Sequence, residues 1–174
     1  MIEFVDNFFT KDQLFYIDHY IDDTKEKYEW RSSYGWNDNI KWGVDSRTLI
    51  REAPDFVRQK IIKHFNFKDD DNLFVLIHLW FPGSHIGWHD DERYDIAGTI
   101  YLNEDWHPNF GGLFLYSEGF DKSSLNPLGE IKAVVPKYNT LNINRENNGH
   151  AVSSTLLTAP IRKTIQFFHV KQND

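Results

Sequence analysis

The 174-residue chain has no cysteine, so it can build neither a disulfide framework nor a thiolate metal site. Any bound metal must take nitrogen and oxygen ligands, which narrows the choice to iron, manganese, nickel or a His/carboxylate zinc. The same absence fits a reducing cytoplasm, where we expect the protein to act. Basic residues are also short: 19 Lys+Arg stand against 26 Asp+Glu, a net charge of −7. An acidic surface repels phosphate backbones and disfavours nucleic acid as a partner. Met1–Asp6 carries no basic segment and the chain has no long apolar run, so neither a signal peptide nor a membrane span is expected. Repeats, low-complexity tracts and linkers are missing too, and residues 1–174 read as a single domain. What the chain does have is aromatic mass: 14 Phe, 8 Tyr and 6 Trp, enough to line a pocket as well as a core.

Thr10-Lys11-Asp12-Gln13 reads as a capping box, with Leu14, Ile17 and Ile21 following at helical spacing. A helix over about 11–27 is expected. A second, with Pro54 in its first turn, should run to about Phe65 and bury Phe56, Val57, Ile61 and Ile62. Everything after Asn72 reads as short strands, separated by Gly, Pro, Asn and Asp clusters. They are Leu73–Phe81, His85–Asp91, Ile96–Asn103, Leu113–Tyr116, Ile131–Val135, Thr140–Ile143, His150–Ser153 and Arg162–Val170. Two helices and eight strands predict a mainly β (α+β) fold, a jelly-roll barrel with the helices on one outer sheet.

Read as strand residues, His89 and Asp91 fall on one face and Asp90 on the other. His150 lies 59 residues beyond Asp91, and Arg162 a further 12 on. Two histidines and one carboxylate are the ligand set that holds non-haem Fe(II) and leaves positions open. Arg162 offers a planar fork that binds a carboxylate through two parallel hydrogen bonds. Alternation sets Arg162, Thr164 and Gln166 on one face of their strand, and a charge buried there needs a carboxylate partner. His85 shares the face of His89 in this phase but is roughly 13 Å away, too far for the same metal. It is expected at the pocket mouth. His78 reads as a hydrogen-bonded core histidine. The segment Ser32–Arg47, with Tyr34, Trp36 and Trp42 among turn formers, is a candidate lid over a substrate.

From Phe81 to Phe168 these pieces occur in a fixed order: Phe81-Pro82-Gly83, His89/Asp91, Ile100-Tyr101-Leu102-Asn103-Glu104-Asp105-Trp106, Gly111-Gly112-Leu113, Pro136-Lys137-Tyr138, His150-Ala151-Val152 and Arg162–Phe168. In that order they resemble the Fe(II)/2-oxoglutarate-dependent dioxygenases, in the prolyl-hydroxylase branch and especially its oxygen-sensing type. The resemblance implies a double-stranded β-helix, with Fe(II), 2-oxoglutarate and O2 as cofactor and co-substrates. It also implies hydroxylation of a C–H bond with release of succinate and CO2. By position, His89, Asp91 and His150 look like the iron ligands. Arg162 and Tyr101, with Thr164 as helper, look like the grip on the far carboxylate of 2-oxoglutarate. The substrate it implies is a prolyl residue of a peptide or protein, with a free amino acid or other small molecule as the alternative. Two readings from other classes stand beside it: a zinc hydrolase on the same three ligands, and a catalytically silent jelly-roll binding module. Oligomeric state is not legible in the sequence.

Overall fold

The computed structural model describes residues 2–24, 31–32, 44–45, 47–68, 72–92, 94–145 and 148–170. The loop residues Tyr34, Trp36 and Trp42 lie outside them. The chain order is β1 (Ile2–Val5), α1 (Lys11–Thr24), β2 (Arg31–Ser32), β3 (Val44–Asp45), β4 (Thr48–Glu52), α2 (Asp55–Phe65), β5 (Leu73–Trp80), β6 (His85–His89) and β7 (Tyr94–Tyr101). It continues with a 3-10 turn (Pro108–Phe110), β8 (Phe114–Asp121), β9 (Asn126–Val134), β10 (Leu141–Arg145), β11 (His150–Val152) and β12 (Arg162–Val170). A seven-stranded sheet runs β1-β10-β7-β12-β5-β4-β2, and a five-stranded sheet runs β3-β6-β11-β8-β9. From β5 to β8 consecutive strands alternate between the sheets, β9 follows in the same sheet as β8, and alternation resumes from β10 to β12. This winding is the double-stranded β-helix, the jelly roll expected from the strand count.

The capping box forms reciprocally. Gln13 N donates to Thr10 Oγ1 (3.3 Å) and Thr10 N to Gln13 Oε1 (3.1 Å), which satisfies two donors that the first helical turn leaves without a partner. Pro54 precedes α2 as its cap residue rather than sitting in its first turn. Asn66 ends α2 in the left-handed region (φ 57°). Both helices lay their apolar stripes on the outer face of the large sheet. Leu14, Ile17, Ile21, Val57, Ile61 and Ile62 meet Ile77, Leu79, Ile100, Leu141, Ile143, Ile165 and Phe167 in one cluster. Gly98 stands opposite Phe167 on that face, and a Cβ there would run into the Phe167 ring.

The sequence underestimates the strands in two places. Four short strands, β1 to β4, precede Asn72 and extend the sheets at their edges. They are too brief to show a period, and their pairing comes from the neighbouring strand rather than from their own pattern. The strands read as Leu113–Tyr116 and Ile131–Val135 belong to a much longer hairpin, Phe114–Asp121 with Asn126–Val134. Most of β9 is half or fully exposed, so it lacks the apolar alternation that marks a half-buried strand.

Candidate active site

The large sheet turns its other face inward, and that face is polar. Arg162, Thr164 and Gln166 of β12 stand opposite Trp80, His78 and Leu76 of β5. Across the other edge of β12, Thr164 and Gln166 face Tyr101 and Thr99 of β7, and Thr99 in turn faces Asn142 of β10. The alternation that sends Ile165 and Phe167 under the helices therefore sends polar side chains into the barrel. Their cavity is closed on the small-sheet side by Ile86, His89, Phe114, His150 and Val152.

At one end of this cavity His89, Asp91 and His150 converge, their ligand atoms within 4.8 Å of one another. His150 Nε2 lies 3.5 Å from Asp91 Oδ2, and the two imidazole rings are 4.2 Å apart. Each imidazole is held from behind. His89 Nδ1 lies 2.8 Å from Gly87 O and His150 Nδ1 lies 3.0 Å from Asn148 O. The Gly87 carbonyl only accepts, so His89 Nδ1 carries the proton and its Nε2 presents a lone pair, the state a metal requires, while His150 Nδ1 is also 3.2 Å from Asn144 Nδ2. Burial, then the neighbouring His150, pushes the pKa of His89 down to about 4, so it is neutral at pH 7. The three groups are a donor set that could hold a divalent metal ion.

Strand phase explains only part of this convergence. β6 ends at His89, and Asp91 lies in the following turn, where Tyr94 N donates to its carbonyl (2.8 Å). Asp90 points away, as expected, and pairs with Lys122 of the β8–β9 hairpin tip at 3.1 Å. His85 does not share the cavity face of His89. The β6–β11 register shifts between His89/His150 and Ile86/Val152, and this irregularity turns Ile86 inward instead. Asn144, which the sequence reading passed over, extends Nδ2 to within 3.5 Å of both Asp91 Oδ2 and Asn148 O. No local pattern marks it; only its place on β10 opposite Ala97 does.

The other end of the cavity is built around Arg162, which is 2% exposed. Its guanidinium lies 5.6 Å from the Trp80 ring and 5.3 Å from the Tyr101 ring, a cation held between two aromatic side chains. It also hydrogen-bonds the Tyr101 hydroxyl. Among the described residues no carboxylate meets it, and Nε and Nη1 are buried without a hydrogen-bond partner. A buried donor left unmade costs about 1–3 kcal/mol, more on a charged group. Burial pulls the Arg162 pKa down and raises that of Tyr101, and each partly offsets the shift of the other. Thr164 is fully buried, accepts from Trp80 Nε1 (2.9 Å), and is not part of the cavity wall. His78 stacks on Trp80 at 5.6 Å, and burial lowers its pKa to about 3.

The motif strings of the sequence prove to be the seat of this arginine. Asn103 accepts from Lys163 N (2.6 Å) and donates to Ile161 O (2.9 Å), so its amide clamps the backbone on either side of Arg162. Trp106 Nε1 donates to Gly111 O (3.0 Å). Gly112, at φ 64°, runs beside the arginine, where a Cβ would stand 3.1 Å from Arg162 Cδ. Only glycine combines that backbone with that approach.

No protein-family model matches the chain, and no curated protein matches it in sequence. Solved structures do match it. A prolyl-4-hydroxylase from Pseudomonas putida superposes with a TM-score of 0.69 at 15% identity, over 99% of this chain and 93% of that one. A prolyl hydroxylase from Trichoplax adhaerens, in complex with a peptide fragment of a hypoxia-inducible-factor oxygen degradation domain, gives 0.75 at 11% identity, over 97% and 83%. HygX from Streptomyces hygroscopicus, with nickel and 2-oxoglutarate bound, gives 0.66 at 11% identity, over 98% and 83%. The shared property is the fold, a jelly roll.

Proposed function

We propose that this chain is an Fe(II)- and 2-oxoglutarate-dependent dioxygenase that hydroxylates a C–H bond. One observation carries the reading: a buried arginine, with two guanidinium nitrogens that have no partner among the described residues, faces the same cavity as a His/Asp/His cluster. A dicarboxylate with a metal-chelating end satisfies both. Its far carboxylate takes the fork of Arg162 and the Tyr101 hydroxyl, and its 2-oxo acid end meets a metal on His89, Asp91 and His150. The iron, when bound, supplies O2 activation coupled to decarboxylation of the 2-oxo acid, giving succinate and CO2.

The chain's own part is positional and electrostatic. The Gly87 carbonyl fixes the His89 tautomer, the Asn148 carbonyl and the Asn144 amide hold the His150 ring, and Asn144 also reaches the Asp91 carboxylate. Arg162 and Tyr101 anchor the co-substrate in a compartment where water competes weakly. Ile86, Phe114, Val152 and Phe168 give the cavity apolar walls that limit water around the reacting centre. A zinc hydrolase on the same ligands would use Arg162 and Tyr101 for a substrate carboxylate, and 2-oxoglutarate would neither bind nor turn over. A silent binding module would keep its fold without iron and show no uncoupled 2-oxoglutarate turnover.

The substrate we assign is a prolyl residue of a peptide or protein. The motif order supports it, as does the presence of two prolyl hydroxylases among the structural neighbours. The deciding experiment is anaerobic addition of Fe(II) and 2-oxoglutarate, followed by succinate release over proline peptides, free amino acids and small metabolites. A weak visible charge-transfer band with succinate above the uncoupled rate on a proline peptide is the expected result. No band, and no succinate with any substrate, refutes the dioxygenase reading. Release with a free amino acid or small molecule alone refutes the prolyl assignment.

A further inference from the structure

The cavity floor carries a second set of unmet polar atoms, and these are acceptors. Asn142 Oδ1, Asn144 Oδ1 and Gln166 Oε1 are buried in the cavity wall without a hydrogen-bond donor among the described residues. Their residues are 2%, 7% and 7% exposed. Asn144 belongs to the metal end, where its Nδ2 faces Asp91. Asn142 and Gln166 flank Thr99 in direct cross-strand register, so the three stand in a row across β10, β7 and β12. The row toward the arginine holds Tyr101 and Thr164, and the row toward the metal end holds Asn144, Ala97 and Phe168. A ligand that spans from Arg162 to the His/Asp/His cluster therefore lies with its middle over Asn142, Thr99 and Gln166.

Unsubstituted 2-oxoglutarate suits that floor poorly. Its middle carbons are methylenes and its polar ends only accept, so nothing in it donates to the two carbonyl oxygens. Buried acceptors are normally paired, and a site built to hydrogen-bond a ligand hydroxyl discriminates against the analogue that lacks it. We propose that the Asn142–Thr99–Gln166 row is a subsite for a hydroxyl group on the middle carbons of the bound 2-oxo dicarboxylate. The hydroxyl donates to Asn142 Oδ1 or Gln166 Oε1, while Thr99 can donate to its oxygen or accept from it. This preference rests on the dioxygenase reading above and narrows its co-substrate.

The test is anaerobic titration of the iron-loaded protein with 2-oxoglutarate and with 4-hydroxy-2-oxoglutarate, read by calorimetry or tryptophan fluorescence. The hydroxylated acid should bind about tenfold tighter, the worth of one to two neutral hydrogen bonds. Gln166→Met and Gln166→Leu, which remove an acceptor without touching the arginine end, should weaken the hydroxylated acid and leave 2-oxoglutarate unchanged or tighter; Asn142 is left in place because its Nδ2 donates to the Tyr101 hydroxyl (3.5 Å). That opposite movement separates loss of a hydrogen bond from general damage, and the wild-type affinity ratio needs no variant at all. Equal or tighter binding of 2-oxoglutarate, or variants that shift both ligands alike, overturns the subsite and leaves the dioxygenase reading standing. Binding of neither acid overturns both.

Discussion

His150 stands directly opposite His89 across the β6–β11 pair, and a register irregularity beside that pair brings Ile86 rather than His85 to their side. The metal end is thus assembled from two neighbouring strands and a turn. His89→Ala, Asp91→Ala and His150→Ala should each abolish Fe(II) binding in equilibrium dialysis. Asp90→Ala should spare it, since Asp90 is engaged with Lys122, and so should His85→Ala. Loss of iron in the Asp90 or His85 variant refutes the ligand assignment.

Arg162 is a stability liability until a carboxylate arrives. Truncating one partner of a buried charge pair costs about 2–5 kcal/mol, so Arg162→Ala should weaken 2-oxoglutarate at least ~30-fold. Iron affinity should stay as it is, and Arg162→Lys should fall between, keeping charge but losing the fork. Without ligand the sign reverses. Arg162→Met removes two buried donors that have no partner among the described residues, and replacing buried ionic groups by apolar side chains of similar volume is often neutral or stabilising by about 1–4 kcal/mol. Calorimetric melting of the ligand-free variant should therefore give a Tm equal to or above that of the parent, and a fall of several degrees contradicts the account.

The seat of the arginine is testable apart from the arginine itself. Asn103→Ala removes both clamps around Arg162 and should cost about 1–3 kcal/mol in urea unfolding. Gly112→Ala forces a Cβ into a left-handed backbone and against Arg162, at about 1–2 kcal/mol. Both variants should weaken 2-oxoglutarate while sparing iron. If either loses stability with co-substrate affinity intact, that residue serves the fold and not the site.

His78 makes the protein acid-sensitive. Burial, then the Arg162 charge, lowers its pKa from 6.5 to about 3. Between those values the unfolded chain carries a proton that the folded chain refuses. The stabilising contribution is therefore complete above pH 6.5 and declines as pH falls toward 3, by at most ~1.4 kcal/mol per unit. In the metal-free protein His89, lowered to about 4, acts in the same direction over its own window. Urea unfolding at pH 7 and pH 5 should show the loss, and His78→Gln, which does not titrate, should flatten it. An unchanged pH slope in His78→Gln sinks the attribution.

The sequence by itself determined the fold class, the eight strands of the winding and the ligand candidates. It could do so because alternation and turn residues are local properties that survive in one dimension. Arg162, with its polar-facing neighbours and apolar alternates, was legible for that reason, and so was the capping box at Thr10 and Gln13. Tertiary structure alone decided the rest. Asp91 reaches His150 from a turn beyond the strand, and the register irregularity reverses the phase that would have put His85 on the cavity face with His89. Asn103, Asn142 and Asn144 gain their roles from strands far away in sequence, because cross-strand register, not spacing along the chain, sets which amide meets which backbone or cavity.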